Sequence, residues 1–144
     1  MNDDHDATIE SLLVSVNRLI RVAAHASGNT TSSAVWRTLG ILDSEGTMRL
    51  GELARVSRVS QPTMTKLVAG MIEDGLASRA GDPTDSRVGL ISITDAGHAA
   101  IVAWRATLTR AIGPRFADLD DDQWNILHQA ATLIAARVRT EIPA

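Results

Sequence analysis

Two short helical patterns separated by a tight polar turn occupy the middle of this chain and restrict its possible folds more than any other feature. Leu50, Leu53 and Ala54 mark the first, which ends near Val56. The second opens at Ser60-Gln61-Pro62-Thr63 and carries Met64, Leu67, Val68, Met71 and Ile72 at helical spacing. Pro62 is tolerated there because the first turn of a helix has no intrahelical partner for its N–H groups. Gly75 closes the pattern. Residues 77–80 are then short enough for a strand, residues 81–87 are turn-rich, and residues 88–93 read as a returning strand. A tight helical pair followed directly by a basic-tipped hairpin is a rare arrangement.

The flanks are helical. Residues 6–27 place Ile9, Leu12, Leu13, Val16, Leu19, Ile20, Ala23 and Ala24 on one face. After the turn at Gly28-Asn29-Thr30-Thr31, Ser32 or Ser33 caps a helix that runs to about residue 43, buries Val35, Trp36, Leu39 and Leu42, and is broken at Gly46. Thr94 caps a helix over residues 95–112 with Ile101, Trp104, Leu108 and Ile112 aligned, and Gly113-Pro114 stops or kinks it. Asp120 and Gln123 form a capping-box pair for the last helix, where Trp124, Leu127, Ala131, Ile134 and Val138 recur at coiled-coil-like spacing.

The expected fold is mainly α with a small β-hairpin (α+β): a winged helix-turn-helix flanked by N- and C-terminal dimerisation helices. The whole of 1–144 reads as one domain, with a DNA-binding lobe over 32–93 and a helical dimerisation frame over 6–27 and 95–142. The long striped helices at the two ends have nothing obvious to pack on except each other, so two copies are expected to share one core.

A helix-turn-helix reads duplex DNA because its second helix fits the major groove while the first braces it on the backbone. One face of the second helix must therefore be apolar, and the opposite face short and polar. Met64, Leu67, Val68, Met71 and Ile72 supply the first; Ser60, Gln61, Pro62, Thr63, Thr65 and Lys66 lie at or near the end that would enter the groove. Gln61 can pair bidentately with an adenine edge, Thr63 and Thr65 can meet phosphate or a thymine methyl, and Lys66 suits phosphate. The alternative is a winged helix used only for protein contacts, which would leave this face apolar or acidic.

Charge bears on the same question. The chain of 144 residues has a formal net charge of −3. Residues 47–93 hold six Lys/Arg against five Asp/Glu, whereas the rest holds eight against twelve. The centre is thus the least acidic part, although the bias is modest, and phosphates feel only the surface that faces them. The absence of cysteine excludes a disulfide framework, thiolate metal sites and a cysteine nucleophile. His5, His25, His98 and His128 lack metal-ligand spacing, and Asp120-Asp121-Asp122 complements a helix dipole. No metal, cofactor or enzymatic activity is expected, since no nucleophile–base pair or phosphate-cradling glycine loop is visible. No apolar run approaches the roughly 18 residues of a membrane span, and the first ten residues are acidic where a secretory leader is basic and then apolar, so a cytoplasmic location is expected.

The ordered segments Leu50-Gly51-Glu52-Leu53-Ala54, Val59-Ser60-Gln61-Pro62-Thr63-Met64-Thr65-Lys66-Leu67-Val68, Met71-Ile72-Glu73-Asp74-Gly75-Leu76-Ala77-Ser78-Arg79, Asp82-Pro83-Thr84-Asp85-Ser86-Arg87 and Ile93-Thr94-Asp95-Ala96-Gly97 resemble the multiple-antibiotic-resistance regulator (MarR) family of winged-helix repressors. The resemblance covers nearly the whole chain. It implies a homodimer on a pseudo-palindromic operator of double-stranded DNA, with recognition helices in successive major grooves and wings at the adjacent minor groove. By the same resemblance Arg87 is the wing arginine and Asp85 shapes the wing; the alternative is that Arg87 only pairs with Asp82 or Asp85 to hold the loop, so both acids are wing-shaping candidates. The resemblance also implies a small aromatic or phenolic effector between frame and lobe, for which Trp36, with Arg21 and His25 as polar partners, is the candidate site. Two departures are visible. Ser86 stands where many members carry a second basic wing residue, and Ala69-Gly70 where many carry polar or basic residues, so a low-charge interface is expected.

Overall fold

The computed structural model describes residues 2–85 and 87–139. Two compact units result: one comprises the described residues up to Asn29 and from Arg105 onward, the other Thr30–Trp104.

The second unit opens with α2 (Ser33–Glu45), capped by Ser32, whose Oγ accepts from the Ala34 N–H at 3.2 Å. It buries Thr38, Leu39 and Leu42, while Val35 and Trp36 are half-buried. The tight pair follows as α3 (Leu50–Ser57) and α4 (Gln61–Glu73). Leu53, Ala54, Met64, Val68 and Met71 are buried and form a core with Leu39, Leu42, Met48 and Ile91. Ile72, expected in that core, is instead 38% exposed. It lies one position past Met71, and the helix's apolar stripe is too narrow to bury both.

The hairpin is part of a larger sheet than the sequence suggested. β2 (Ala77–Gly81) and β3 (Gly89–Ile93) pair antiparallel with Arg79 opposite Ile91, and the two-residue strand β1 (Met48–Arg49) joins the other edge of β3. β1 escapes sequence reading because two residues show no alternation; only the pairing of Met48 with Ile91 and Arg49 with Leu90 makes it a strand. One sheet face carries Met48, Ala77 and Ile91, all buried. The other carries Thr47 and Ser92, whose hydroxyls lie 2.7 Å apart, together with Arg49.

α5 (Asp95–Ile112) matches its expected span. Thr94 caps it twice over: its Oγ1 accepts from the Gly97 N–H at 3.0 Å and donates to the Gly75 carbonyl at 2.6 Å. Gly97 must lack a side chain, because a Cβ there would overlap the Leu76 carbonyl. A 3-10 turn over Gly113–Phe116 ends α5 at the Gly113-Pro114 step.

In the first unit, α1 (Asp3–Ser27) starts one turn earlier than expected, with Asp3, Asp4 and Asp6 in its first turn complementing the helix dipole. α6 (Asp121–Arg137) begins with the expected capping box, Asp120 accepting from the Gln123 N–H at 2.8 Å and the Gln123 side chain accepting from the Asp120 N–H at 3.0 Å. α1 buries only Ala23, and α6 buries no side chain.

Candidate nucleic-acid interface

The reading end of α4 is built by its cap. Ser60 is extended at φ −66°, ψ 153°; its Oγ accepts from the Thr63 N–H at 3.2 Å and donates to Thr63 Oγ1 at 2.7 Å. Gln61, Pro62, Thr63, Thr65 and Lys66 are all exposed, opposite buried Met64, Val68 and Met71 and half-buried Leu67. The single hydroxyl proton of Thr65 goes to the Gln61 carbonyl at 2.9 Å, which leaves its methyl and the acceptor lone pairs of Oγ1 to offer a base. A Cβ placed on Gly51, in the first turn of α3, would stand in van der Waals range of the Gln61 amide. The start of α3 therefore leaves room, through its glycine, beside the residue best suited to an adenine edge.

Between the helices the chain turns through Arg58, at φ 56°, ψ 41°. It is the only non-glycine with positive φ among the described residues. Its N–H satisfies the last carbonyls of α3, the usual service of a left-handed cap, but a side chain in that conformation costs about 1 kcal/mol.

The wing tip is held at two points. Asp82 is the deeper: its Oδ1 accepts from the Thr84 N–H at 2.8 Å and the Thr84 hydroxyl at 2.7 Å, and its Oδ2 takes Arg49 in a fork, Nε at 2.9 Å and a terminal nitrogen at 2.7 Å. The Thr84 hydroxyl and amide, and then Arg49, hold this carboxyl at about 2, below its ordinary 3.8, against the opposing effect of burial. Asp85 is the shallower: its Oδ1 accepts from the Arg87 N–H at 3.1 Å and from Arg87 Nε at 3.2 Å. The Arg87 side chain is nonetheless 89% exposed, so the pairing aims the guanidinium without covering it. Ser86 lies outside the described residues. Further down the hairpin, the Arg79 guanidinium lies across Gly89, where a Cβ would overlap it.

The two acids assigned to the wing from sequence both bind there, but to different arginines. Arg49 was not foreseen. It stands 33 residues from Asp82 in a stretch with no local motif, and only the strand pairing of β1 brings the two together.

The effector residues fall in both units. Arg21 and His25 are exposed on α1. Trp36, on α2, is half-buried and stacked on Trp104 with ring centres 5.0 Å apart and planes 9° from parallel. Its Nε1 is buried without a hydrogen-bond partner among the described residues. Elsewhere, His98 Nδ1 lies against Asp43 Oδ1 on the surface. Among the described residues no group of three or more His, Cys, Asp or Glu is placed to hold a metal, and no helix is long and apolar enough to cross a membrane.

Residues 29–88, which span α2, the helix pair and the hairpin as far as the start of β3, match the model of the MarR family. The chain is also 33% identical over 137 residues to the HTH-type transcriptional regulator Mb0904 of Mycobacterium bovis, an alignment covering 94% of this chain and 96% of the relative. The chain belongs to the MarR family. Its fold agrees. A MarR family protein from Bacillus stearothermophilus superposes with a TM-score of 0.72 at 20% identity, over 97% of this chain and 99% of that one. BpsR of Bordetella bronchiseptica, whose DNA binding is regulated by 6-hydroxynicotinic acid, superposes with a TM-score of 0.58 at 16% identity, over 88% and 91%. This MarR chain is thus a helix-turn-helix regulator of transcription, mostly helical with a small antiparallel sheet.

Proposed function

We propose that the protein is a cytoplasmic homodimer that represses transcription by occupying a pseudo-palindromic operator, and that a small lipophilic or phenolic ligand releases it. The observation that carries the reading is the exposed polar first turn of α4, Gln61 to Lys66, set on a buried apolar base in the same lobe as a wing whose arginine is aimed but uncovered. Gln61 and Thr65 meet base edges, Thr63 and Lys66 meet phosphate, and the Ser60-Pro62 cap delivers the helix end. Arg87 enters a minor groove, where narrow tracts concentrate negative potential. Asp82 and Asp85 hold the wing in place.

The lobe over 32–93 reads, and the helices over 6–27 and 95–142 dimerise. The surface of α1 and α6 supports this division. Leu13 is 62% exposed, Ile126 66% and Leu133 60%, and a helix of 17 residues with no buried side chain needs a partner to cover its apolar residues. A second copy supplies the same surface and sets two reading helices on one duplex. For the effector, BpsR offers a precedent in a protein of this fold, and Trp36 with its unsatisfied donor, Arg21 and His25 are the residues that would meet an aromatic acid.

The test is a gel-shift against fragmented genomic DNA across a salt series, with the dimer followed by sedimentation. Salt-sensitive retention of a few fragments sharing an inverted repeat is expected. Retention of none would favour a protein-binding module, and a monomer would end the account of paired reading heads. The ligand is tested separately: if a panel of lipophilic acids and phenols changes neither operator affinity nor melting temperature, release by such a ligand is wrong.

A further inference from the structure

The turn between α3 and α4 holds an arginine where the backbone is worst suited to one. Arg58 is left-handed, and every other described residue with positive φ is glycine. Glycine at this position would give the same cap without the strain. The fold makes no use of the side chain: Arg58 is exposed, and among the described residues it has no ion pair or side-chain hydrogen bond. Arg55, three residues back and also exposed and unpaired, adds like charge. A helix C-terminus favours a nearby cation, which accounts for Arg55. It does not account for placing the second cation on the one residue that must adopt a strained conformation.

Position supplies the remaining argument. Where α4 enters a groove, α3 crosses the sugar–phosphate backbone beside it, so the turn joining them passes over the strand that borders the groove. Arg58 stands two residues before the cap of α4. Of the other cations between residues 47 and 93, Arg49 is committed to Asp82, Arg87 is aimed by Asp85 at the wing tip, and Lys66 is exposed within α4.

We infer that Arg58 is a backbone anchor, a guanidinium that binds an operator phosphate at the edge of the major groove and is retained at the expense of a relaxed turn. This rests on the DNA-binding reading above and extends it to a residue that reading does not use. The contact is to phosphate, so it contributes affinity and register without sequence preference.

Arg58→Gly makes the test, because its effects on fold and function should have opposite signs. Binding is measured by fluorescence anisotropy on a retained genomic fragment and on an unrelated duplex, with wild type, Arg58→Gly, Arg58→Lys and Gln61→Ala compared over a salt series. Arg58→Gly should melt at or above the wild-type temperature, yet bind both duplexes about five- to tenfold more weakly and lower the slope of log affinity against log salt by about 2 per dimer. Arg58→Lys should keep most of the slope. Gln61→Ala should lose affinity for the retained fragment alone. An Arg58→Gly protein with unchanged affinity and slope, while Gln61→Ala still discriminates, overturns the anchor and leaves the DNA-binding reading standing. A wild type without affinity for either duplex overturns both.

Discussion

Protonating Asp82 should loosen the wing, and the sign of the effect follows from its hydrogen bonds. Thr84 and Arg49 favour the charged form and hold the carboxyl at about 2 against an ordinary 3.8. A carboxyl depressed on folding contributes stability that is complete above its unfolded value and disappears as pH falls through its folded one. The difference in melting temperature between wild type and Asp82→Asn should therefore be full at neutral pH and close between about pH 4 and pH 2. A difference that stays constant across that window would show that the charge of Asp82 is not what secures the wing. Arg87 behaves differently. An exposed pair such as Arg87–Asp85 contributes about 1 kcal/mol or less, so Arg87→Ala should melt like the wild type. Its operator affinity should nonetheless fall about tenfold, as expected for loss of a cation from a narrow minor groove. Equal affinity by anisotropy would remove the wing from recognition.

The elements of the lobe differ in how much their own residues determine. α4 could be read from its repeat because Met64, Val68 and Met71 recur on one face and Ser60 and Pro62 mark its start; all three apolar residues are buried. Met64→Ala should cost about 2–5 kcal/mol by chemical denaturation, whereas Ile72→Ala, on the exposed margin of the same helix, should stay within about 0.5 kcal/mol. Equal losses would mean that Ile72 is buried after all. α5 and α6 were legible through Thr94 and the Asp120–Gln123 box, because caps are local. What escaped was non-local. β1 exists only through Leu90 and Ile91, Arg49 matters only through Asp82, and the left-handed turn at Arg58 carries none of the glycine or asparagine that signals such a conformation. The reading face of α4 was visible in Gln61 to Lys66, but the internal use of the Ser60 and Thr65 hydroxyls was not.

For the whole molecule, stability and assembly should be one quantity. If the apolar surfaces of α1 and α6 are covered by a second copy, the melting temperature should rise with protein concentration. Leu13→Glu, which puts a charge on an apolar residue that is 62% exposed in the single chain, should shift the protein to monomer by sedimentation and abolish operator binding. A monomeric variant with unaltered affinity would refute the shared frame. The fork from Arg49 to Asp82 has a further consequence. Because Arg49 directly precedes α3 and Asp82 borders the hairpin tip, the helix pair proposed to probe the wide furrow of a duplex and the wing proposed to probe the narrow one are fastened to a common mount. The span between them is then a fixed gauge. Such a gauge forgives a changed letter more readily than a changed distance, so one extra base pair inside a half-site should be more damaging than one substituted there.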